Sequence, residues 1–217
     1  MVIDLTKCMR CYACVVACRQ EHFVPPNVFW NRLMVWETGK FPAVTEVVVP
    51  MRCMHCKEAP CVDACPTGAS QKREDGIVWV DQNKCVGCRY CVIVCPYQNR
   101  TFVSKIKEFF PGLGLTEYEK IGQRIYPHEG GVTEKCNFCM ERVDAGLAQG
   151  LKPGVDRDAT PVCVNCCQAK AVTFGDLDDP NSEVSTLVRK RMGTQLHPEF
   201  GTDPSIFFVT SSPRMEA

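Results

Sequence analysis

Residues 85–96 read Cys85-Val86-Gly87-Cys88-Arg89-Tyr90-Cys91-Val92-Ile93-Val94-Cys95-Pro96. Four cysteines are separated by two, two and three residues, and a proline follows the last of them. A short turn can direct the first three thiols to one point, because they lie within seven residues of each other. This density is unusual for core packing, and it indicates that the thiols bind a common group.

The motif recurs along the chain and forms an internal repeat of four cysteine groups. The first group has the same spacing as the third, the second has a four-residue middle gap, and the fourth has a middle gap of twenty-three residues. The groups are Cys8, Cys11, Cys14 and Cys18; Cys53, Cys56, Cys61 and Cys65; Cys85, Cys88, Cys91 and Cys95; and Cys136, Cys139, Cys163 and Cys167.

Composition excludes several classes of protein. Cysteine accounts for 17 of 217 residues, but Met1 to Lys7 has no basic region or long apolar stretch, so we expect no signal peptide of its own and no secreted disulfide scaffold. The 25 basic and 25 acidic residues form no long run of one sign, so nucleic acid is not an expected partner. Apolar runs such as Ile206–Val209 are strand-length and too short to span a membrane.

The spacing indicates [4Fe–4S] clusters. Each of the four irons needs one further ligand, and thiolate sulfur is the soft ligand that suits iron–sulfur clusters. Zinc is the main alternative, and it takes cysteine in pairs around a single ion. The fourth group alone fits zinc, whereas three ligands within seven residues do not.

Ligand sets follow if the groups pair as in two-cluster ferredoxins, where the last cysteine of one group binds the cluster of the other. Neighbouring groups two and three would pair, and groups one and four would pair across the chain. The predicted sets are Cys8, Cys11, Cys14 and Cys167 for cluster A; Cys136, Cys139, Cys163 and Cys18 for cluster B; Cys53, Cys56, Cys61 and Cys95 for cluster C; and Cys85, Cys88, Cys91 and Cys65 for cluster D.

Two adjacent cysteines, Cys166 and Cys167, compete for the last place in group four. Cys167 keeps the three-residue gap of the other groups, whereas Cys166 would break it. We therefore favour Cys167 and expect Cys166 to be a small buried residue.

A basic residue stands directly before each group: Lys7, Arg52, Lys84 and Lys135. Cations near an anionic cluster would favour its reduction, but solvated strand ends are an equally good interpretation. We expect His55 to lie next to the ligands of a cluster or at the surface without binding iron, because cysteines already fill each site. His22, His128 and His197 show no partner in the sequence and are expected to be structural or exposed.

The predicted fold is α+β, with two ferredoxin-like modules that each hold two [4Fe–4S] clusters. One module joins residues 1–50 to 131–180, and the other spans 51–105. Residues 106–130 are predicted as an insertion with a helix near 116–123. A loop is predicted from the 140s to Thr160, and 181–217 as a tail on a partner subunit, with a helix over 182–192 and little core-forming pattern beyond it.

No nucleophile motif, phosphate loop or G-x-G-x-x-G nucleotide site is visible, so the sequence predicts a relay without a substrate site of its own. With all four groups in view, the chain resembles the iron–sulfur subunits of the dimethyl sulfoxide reductase family of molybdenum and tungsten enzymes. The most specific segments are Met51–Cys56, Pro60–Ala69, Cys85–Cys91 and Cys95–Tyr97, and the resemblance extends to Glu134–Cys139 and Phe174–Leu177.

This resemblance implies electron transfer between a large bis-pterin molybdenum or tungsten subunit and a membrane anchor that exchanges electrons with quinone. In some relatives a tryptophan replaces one cysteine of the third group, and that cluster loses an iron. The chain has Cys88 at this position, so the resemblance implies four full clusters. Cys167 is followed by Gln168 where the family often has proline. The chain would be cytoplasmic or exported with its partner, and membrane-associated only through the complex. The alternative is a free-standing soluble polyferredoxin.

Overall fold

The computed structural model of the chain describes residues 1–210. The helices within this range are α1 (Ala13–His22), α2 (Pro60–Asp63), α3 (Tyr90–Ile93), α4 (Glu117–Ile125), α5 (Met140–Ala148), α6 (Val162–Asn165) and α7 (Glu183–Lys190). The strands are β1 (Val2–Asp4), β2 (Asn31–Lys40), β3 (Ala43–Arg52), β4 (Ser70–Lys72), β5 (Val78–Val80), β6 (Thr101–Val103), β7 (Val132–Glu134), β8 (Val172–Thr173), β9 (Thr194–Gln195) and β10 (Phe207–Val209). Short helices and strands therefore mix in an α+β architecture.

A four-stranded sheet joins distant parts of the chain in the order β8-β1-β10-β9. Strand β1 pairs antiparallel with β8 and parallel with β10, with Ile3 opposite Phe208. Both side chains are fully buried in the main hydrophobic core. Burial of these apolar side chains supplies the driving force that holds the sheet together.

The C-terminal region differs from the predicted tail. The predicted helix is present as α7, with Ser182 as its cap, but β9 and β10 then enter the chain's own sheet. The pairing partner of β10 is β1, at the other end of the sequence, so no local pattern could reveal it. Residues 211–217 of the predicted tail lie outside the described residues.

Antiparallel strand pairs reproduce the internal repeat. Strand β4 follows group two and pairs with β5, which leads into group three. Likewise β8 follows group four and pairs with β1, which leads into group one. Two similar units therefore arise, one from adjacent segments and the other from the two ends of the chain.

A long antiparallel hairpin of β2 and β3 crosses the predicted boundary at residues 50 and 51. Its register runs without interruption from Asn31 opposite Arg52 to Lys40 opposite Ala43. The open end of the hairpin is buried, and the tip is exposed. Strand β3 thus delivers Arg52 into the core, directly before the second cysteine group.

The predicted helix near 116–123 is confirmed as α4. Thr116 caps it, and Glu119 completes a reciprocal capping box with the Thr116 side chain and backbone. The Tyr118 hydroxyl donates to the Arg19 carbonyl at 2.7 Å, and Gly122 lies against Phe23. The helix therefore packs on the end of α1.

The loop predicted from the 140s to Thr160 is wrong over its first part, which forms α5. Glycine suggested a break, but Gly146 lies inside the helix for a packing reason. A Cβ atom added there would lie 2.4 Å from the Cβ of Ala159, so only glycine allows the helix to approach the 3₁₀ turn at Arg157–Ala159.

Candidate metal centres

The first cavity brings together cysteines from both ends of the chain. Cys8, Cys11, Cys14 and Cys167 line a partly open cavity. Helix α1 carries Cys14, and Cys167 follows helix α6. The predicted set for cluster A is thus assembled around one space.

The second unit contains two further cavities, each lined by four cysteines. One is lined by Cys53, Cys56, Cys61 and Cys95. The other is lined by Cys65, Cys85, Cys88 and Cys91. The two spaces coincide with the sets predicted for clusters C and D, including the exchanged last cysteines.

The fourth set, that of cluster B, is the most deeply buried. Burial raises the pKa of the Cys18 thiol, and the neighbouring thiols of Cys136, Cys163 and Cys139 raise it further. All four side chains are buried. Cys18 extends from α1 toward the cysteines of group four, as the exchange of last cysteines requires.

Backbone turns of the same unusual conformation surround the cavities of clusters A and D. Arg10 and Tyr12, on either side of Cys11, have φ angles of 55° and 58°. Gly87 and Arg89, on either side of Cys88, have φ angles of 67° and 63°. A left-handed conformation at a non-glycine residue costs roughly 1–3 kcal/mol, and it persists where the surroundings impose it. These turns wrap the chain around each cavity.

Backbone donors to sulfur also repeat between the two units. The amide of Ser70 donates to Cys65 Sγ at 3.3 Å, and the amide of Ala171 donates to Cys167 Sγ at 3.2 Å. The Cys166 thiol instead points at the Cys163 carbonyl, with a distance of 3.6 Å. Cys167 therefore takes the structural place that Cys65 has in the other unit.

Two buried guanidinium groups test whether these cavities suit an anionic cluster. Arg52 Nη1 donates to Cys163 Sγ at 3.0 Å, and Arg100 Nη2 donates to Cys61 Sγ at 2.9 Å. Within residues 1–210, Arg52 Nε and Nη2 and Arg100 Nε and Nη1 have no hydrogen-bond partner. Buried cations require anionic partners. A cluster held by four thiolates is an anion, so the residues present fit it.

The ligand arrangement suits a group larger than one ion. Among the described side chains, no three His, Cys, Asp or Glu residues are grouped as ligands of a single metal ion. The cysteines surround cavities instead. Thiolates of this kind would hold the irons, and the bound clusters would supply one-electron redox chemistry.

The four basic residues that precede the groups divide into two pairs. Lys7 and Lys84 are exposed and lie near Asp4 and Asp81, at 3.9 and 3.3 Å. Arg52 and Lys135 are buried. Lys7 and Lys84 are therefore solvated residues just beyond strand ends, as one interpretation predicted. Arg52 is a cation beside a sulfur atom, as the other interpretation predicted. Lys135 Nζ donates to the carbonyls of Val78 and Cys136.

Two aromatic side chains meet between the units. His55, between Cys53 and Cys56, stacks on Phe138, between Cys136 and Cys139, with ring centroids 3.6 Å apart. The amide of Val78 donates to His55 Nδ1 at 3.0 Å. Burial lowers the pKa of His55 well below its usual value.

Histidines that the sequence left unassigned form a network near cluster B. His22 Nε2 lies 3.2 Å from Cys139 Sγ, and burial lowers the pKa of His22 to about 4. His128 contacts the His22 carbonyl at 2.7 Å and Glu134 at 2.7 Å. The contacts with His22 span more than 100 residues, so sequence spacing gave no signal for them. His197 lies apart, beside Glu199.

We expect the stability contribution of His128 to fall as pH rises. Burial lowers the pKa of His128, but the hydrogen bond and charge of Glu134 outweigh burial and raise the pKa above 6.5. A group whose pKa is higher in the folded state stabilises the fold fully at pH values below its unfolded-state pKa. This stabilisation is lost as the pH rises through its folded-state pKa. Urea midpoints of the anaerobic protein between about pH 6 and 9 should therefore fall more steeply than those of His128→Gln. Equal slopes would contradict the prediction.

Comparisons with known proteins fit this geometry. Two family models, both described as 4Fe-4S dicluster domains, match residues 7–69 and 44–110. A selenate reductase subunit of Mesobacillus selenatarsenatis is 36% identical over 97% of this chain and 71% of its own length. The putative dimethyl sulfoxide reductase iron–sulfur subunit of Halobacterium salinarum is 38% identical over 96% of this chain and 78% of its own length. The arsenate respiratory reductase iron–sulfur subunit of Shewanella sp. is 34% identical over 97% of this chain and 95% of its own length.

The chain belongs to the iron–sulfur subunits of the dimethyl sulfoxide reductase family. It is an electron-transfer subunit with two 4Fe-4S dicluster domains, and these domains and its 17 cysteines are consistent with four [4Fe–4S] clusters. The dicluster models match the segments that hold the first three groups, and this favours iron–sulfur clusters over the zinc and disulfide alternatives. The relatives are named as subunits of larger enzymes, which argues against a free-standing polyferredoxin.

Proposed function

We propose that the chain relays electrons through its four clusters in the order A, B, C, D. Each ligand set is the one predicted above, with two clusters in a module of residues 1–50 and 131–180 and two in a module of residues 51–105. Three cysteine-lined cavities and the buried group around Cys18 support these sets. The His55–Phe138 stack supports a junction between clusters C and B, because each ring stands between two ligands of one of them.

Burial supports entry and exit at opposite ends. Cys11 of cluster A and Cys88 of cluster D are exposed, whereas every predicted ligand of cluster B is buried. A protein shell around the inner clusters would keep electrons from solvent oxidants. Exposed outer clusters would bring a redox partner close to each end.

The partners we propose are a large bis-pterin molybdenum or tungsten subunit at one end and a membrane anchor or another redox protein at the other. The named reductases among the relatives support the first partner. No helix in the described part of the chain is long and apolar enough to span a bilayer. Membrane association would therefore come through the complex, either in the cytoplasm or after export with a partner.

Exposed apolar side chains beside each outer cluster give a test of partner docking. Ile93 is 77% exposed beside group three, and Val16 is 56% exposed beside group one. An arginine at either place would carry a charge into an apolar contact, so we expect Ile93→Arg and Val16→Arg each to weaken binding of a different partner by about tenfold or more, which is about 1.4 kcal/mol.

Leu113→Arg provides the matched control, because Leu113 is 84% exposed in the segment between the modules. Affinity would be measured by titrating each variant with the isolated partner, after iron analysis shows unchanged cluster content. Wild-type affinity of both end variants for both partners would contradict docking at these ends.

Elemental analysis of the anaerobically isolated complex tests the function as a whole. About sixteen irons per chain, four for each of four clusters, with one molybdenum or tungsten in a co-purifying large subunit, would support the proposal. The same iron without either metal or a large subunit would favour a free carrier.

A further inference from the structure

Arg52 and Arg100 reach equivalent places in the two modules from unrelated places in the sequence. Arg52 donates to Cys163, the third cysteine of group four, and Arg100 donates to Cys61, the third cysteine of group two. Arg52 directly precedes group two, whereas Arg100 follows the last cysteine of group three by five residues. The internal repeat therefore does not explain the equivalence, and a shared role does.

Each guanidinium also lies near a ligand of an outer cluster, Arg52 near one of cluster A and Arg100 near one of cluster D. The charges of Cys163 and Cys14 both raise the pKa of Arg52, although burial opposes them. Arg100 responds in the same way to Cys61 and Cys91, and it lines the cavities of both cluster C and cluster D. Cys14 and Cys91 are again the third cysteines of their groups. Each arginine thus stands between two ligand sets.

These cations have no carboxylate partner to neutralise them. Neither Arg52 nor Arg100 takes part in a salt bridge among residues 1–210. Both are buried, at 1% and 5% exposure. An uncompensated buried charge costs several kcal/mol. The nearby thiolates, and the clusters they hold, are the anions that can compensate it.

We propose that Arg52 and Arg100 set the reduction potentials of the relay, Arg52 for clusters A and B and Arg100 for clusters C and D. The inference rests on the ligand sets proposed above. An electron that arrives on a cluster adds one negative charge, and no proton is taken up and no bond is broken. A fixed cation between two clusters raises the electron affinity of both and offsets the repulsion between electrons on neighbouring clusters. The electron comes from one redox partner and leaves to the other.

Redox titration of the intact complex, followed by electron paramagnetic resonance, tests this inference. We expect Arg52→Met to lower the equilibrium constant for one-electron reduction of cluster B at least tenfold, which is about 59 mV, and that of cluster A by less. Arg100→Met should lower the equilibrium constant of cluster C at least tenfold and that of cluster D by less. Lys7→Met and Lys84→Met are matched controls, because these exposed lysines precede the groups of the outer clusters. The reduction potentials of all four clusters should stay unchanged in both variants.

Iron content is measured for every variant. If a methionine variant loses iron, the arginine is replaced by glutamine, which keeps an N–H donor but no charge, and a lowered potential of the same two clusters is still expected. Unchanged potentials in a variant with full iron content, or equal shifts of all four clusters, would overturn the inference.

Assignment of the signals separates this inference from the ligand sets. Cys53→Ala identifies the signal of cluster C by removing it, and Cys136→Ala identifies that of cluster B. If a cysteine variant removes no signal or two signals, the ligand set is wrong. If the signals are assigned cleanly and the arginine variants leave them in place, the ligand sets stand and the role of the arginines fails.

Discussion

Replacement of Cys53 by alanine is expected to interrupt the relay at its centre. Cys53 is buried and lines the cavity assigned to cluster C. Iron content should fall from about sixteen toward about twelve atoms per chain, because cluster C loses one of its four thiolate ligands. Electron flow between the two partners should fall by about tenfold or more, equal to a barrier increase of about 1.4 kcal/mol. Iron analysis and steady-state turnover of the purified complex measure both effects.

Cys166→Ala is the matched control for this loss. It removes a thiol that neighbours the ligands but points at a carbonyl oxygen. Full iron content and normal turnover are expected. If Cys166→Ala loses a cluster while Cys167→Ala does not, the ligand belongs at position 166. If Cys53→Ala keeps all its iron, the set proposed for cluster C is wrong.

Phe208→Ala is expected to destabilise the whole chain. Phe208 lies in β10, in the middle of the four-stranded sheet, and is 1% exposed. Truncation of a buried phenylalanine costs about 3–5 kcal/mol, because contacts are lost and a cavity remains. In a chain of this size such a loss lowers the unfolding temperature by roughly 10 °C. Thermal loss of cluster absorbance under anaerobic conditions provides the measurement.

The matched variant is Phe110→Ala, at a phenylalanine that is 57% exposed. Its effect should stay within about 0.5 kcal/mol. Equal melting temperatures for the two variants would mean that residues 207–209 do not belong to the core. That outcome would support the sequence-based prediction that this region is a tail outside the core.

Local sequence predicted much of the cluster architecture. Cysteine spacing predicted four groups and their exchange of last cysteines, and the cavities place those same cysteines together. It also placed α4 and α7, because Thr116 and Ser182 cap them through contacts within three residues. It failed at α5, since the reason for Gly146 lies in its packing against Ala159 and not in the helix itself.

The electrostatic surroundings of the clusters could not be predicted in the same way. Lys7, Arg52, Lys84 and Lys135 look alike in sequence, yet two are exposed and two are buried. Nothing in the sequence marks Arg100 or His22 as a neighbour of a cluster. Their sulfur contacts join residues 39 and 117 positions apart.

The sequence by itself determined the chemistry of this protein, because repeated cysteines at two- and three-residue spacing are typical of iron–sulfur ligands, although one ligand of each predicted set comes from another group. The tertiary structure alone decided which cations approach those sulfurs and which ends stay exposed. It also decided that residues 207–209 close the sheet against residues 2–4. Thiolate ligation depends on local spacing, whereas burial and electrostatic contact depend on segments that meet only after the chain has folded.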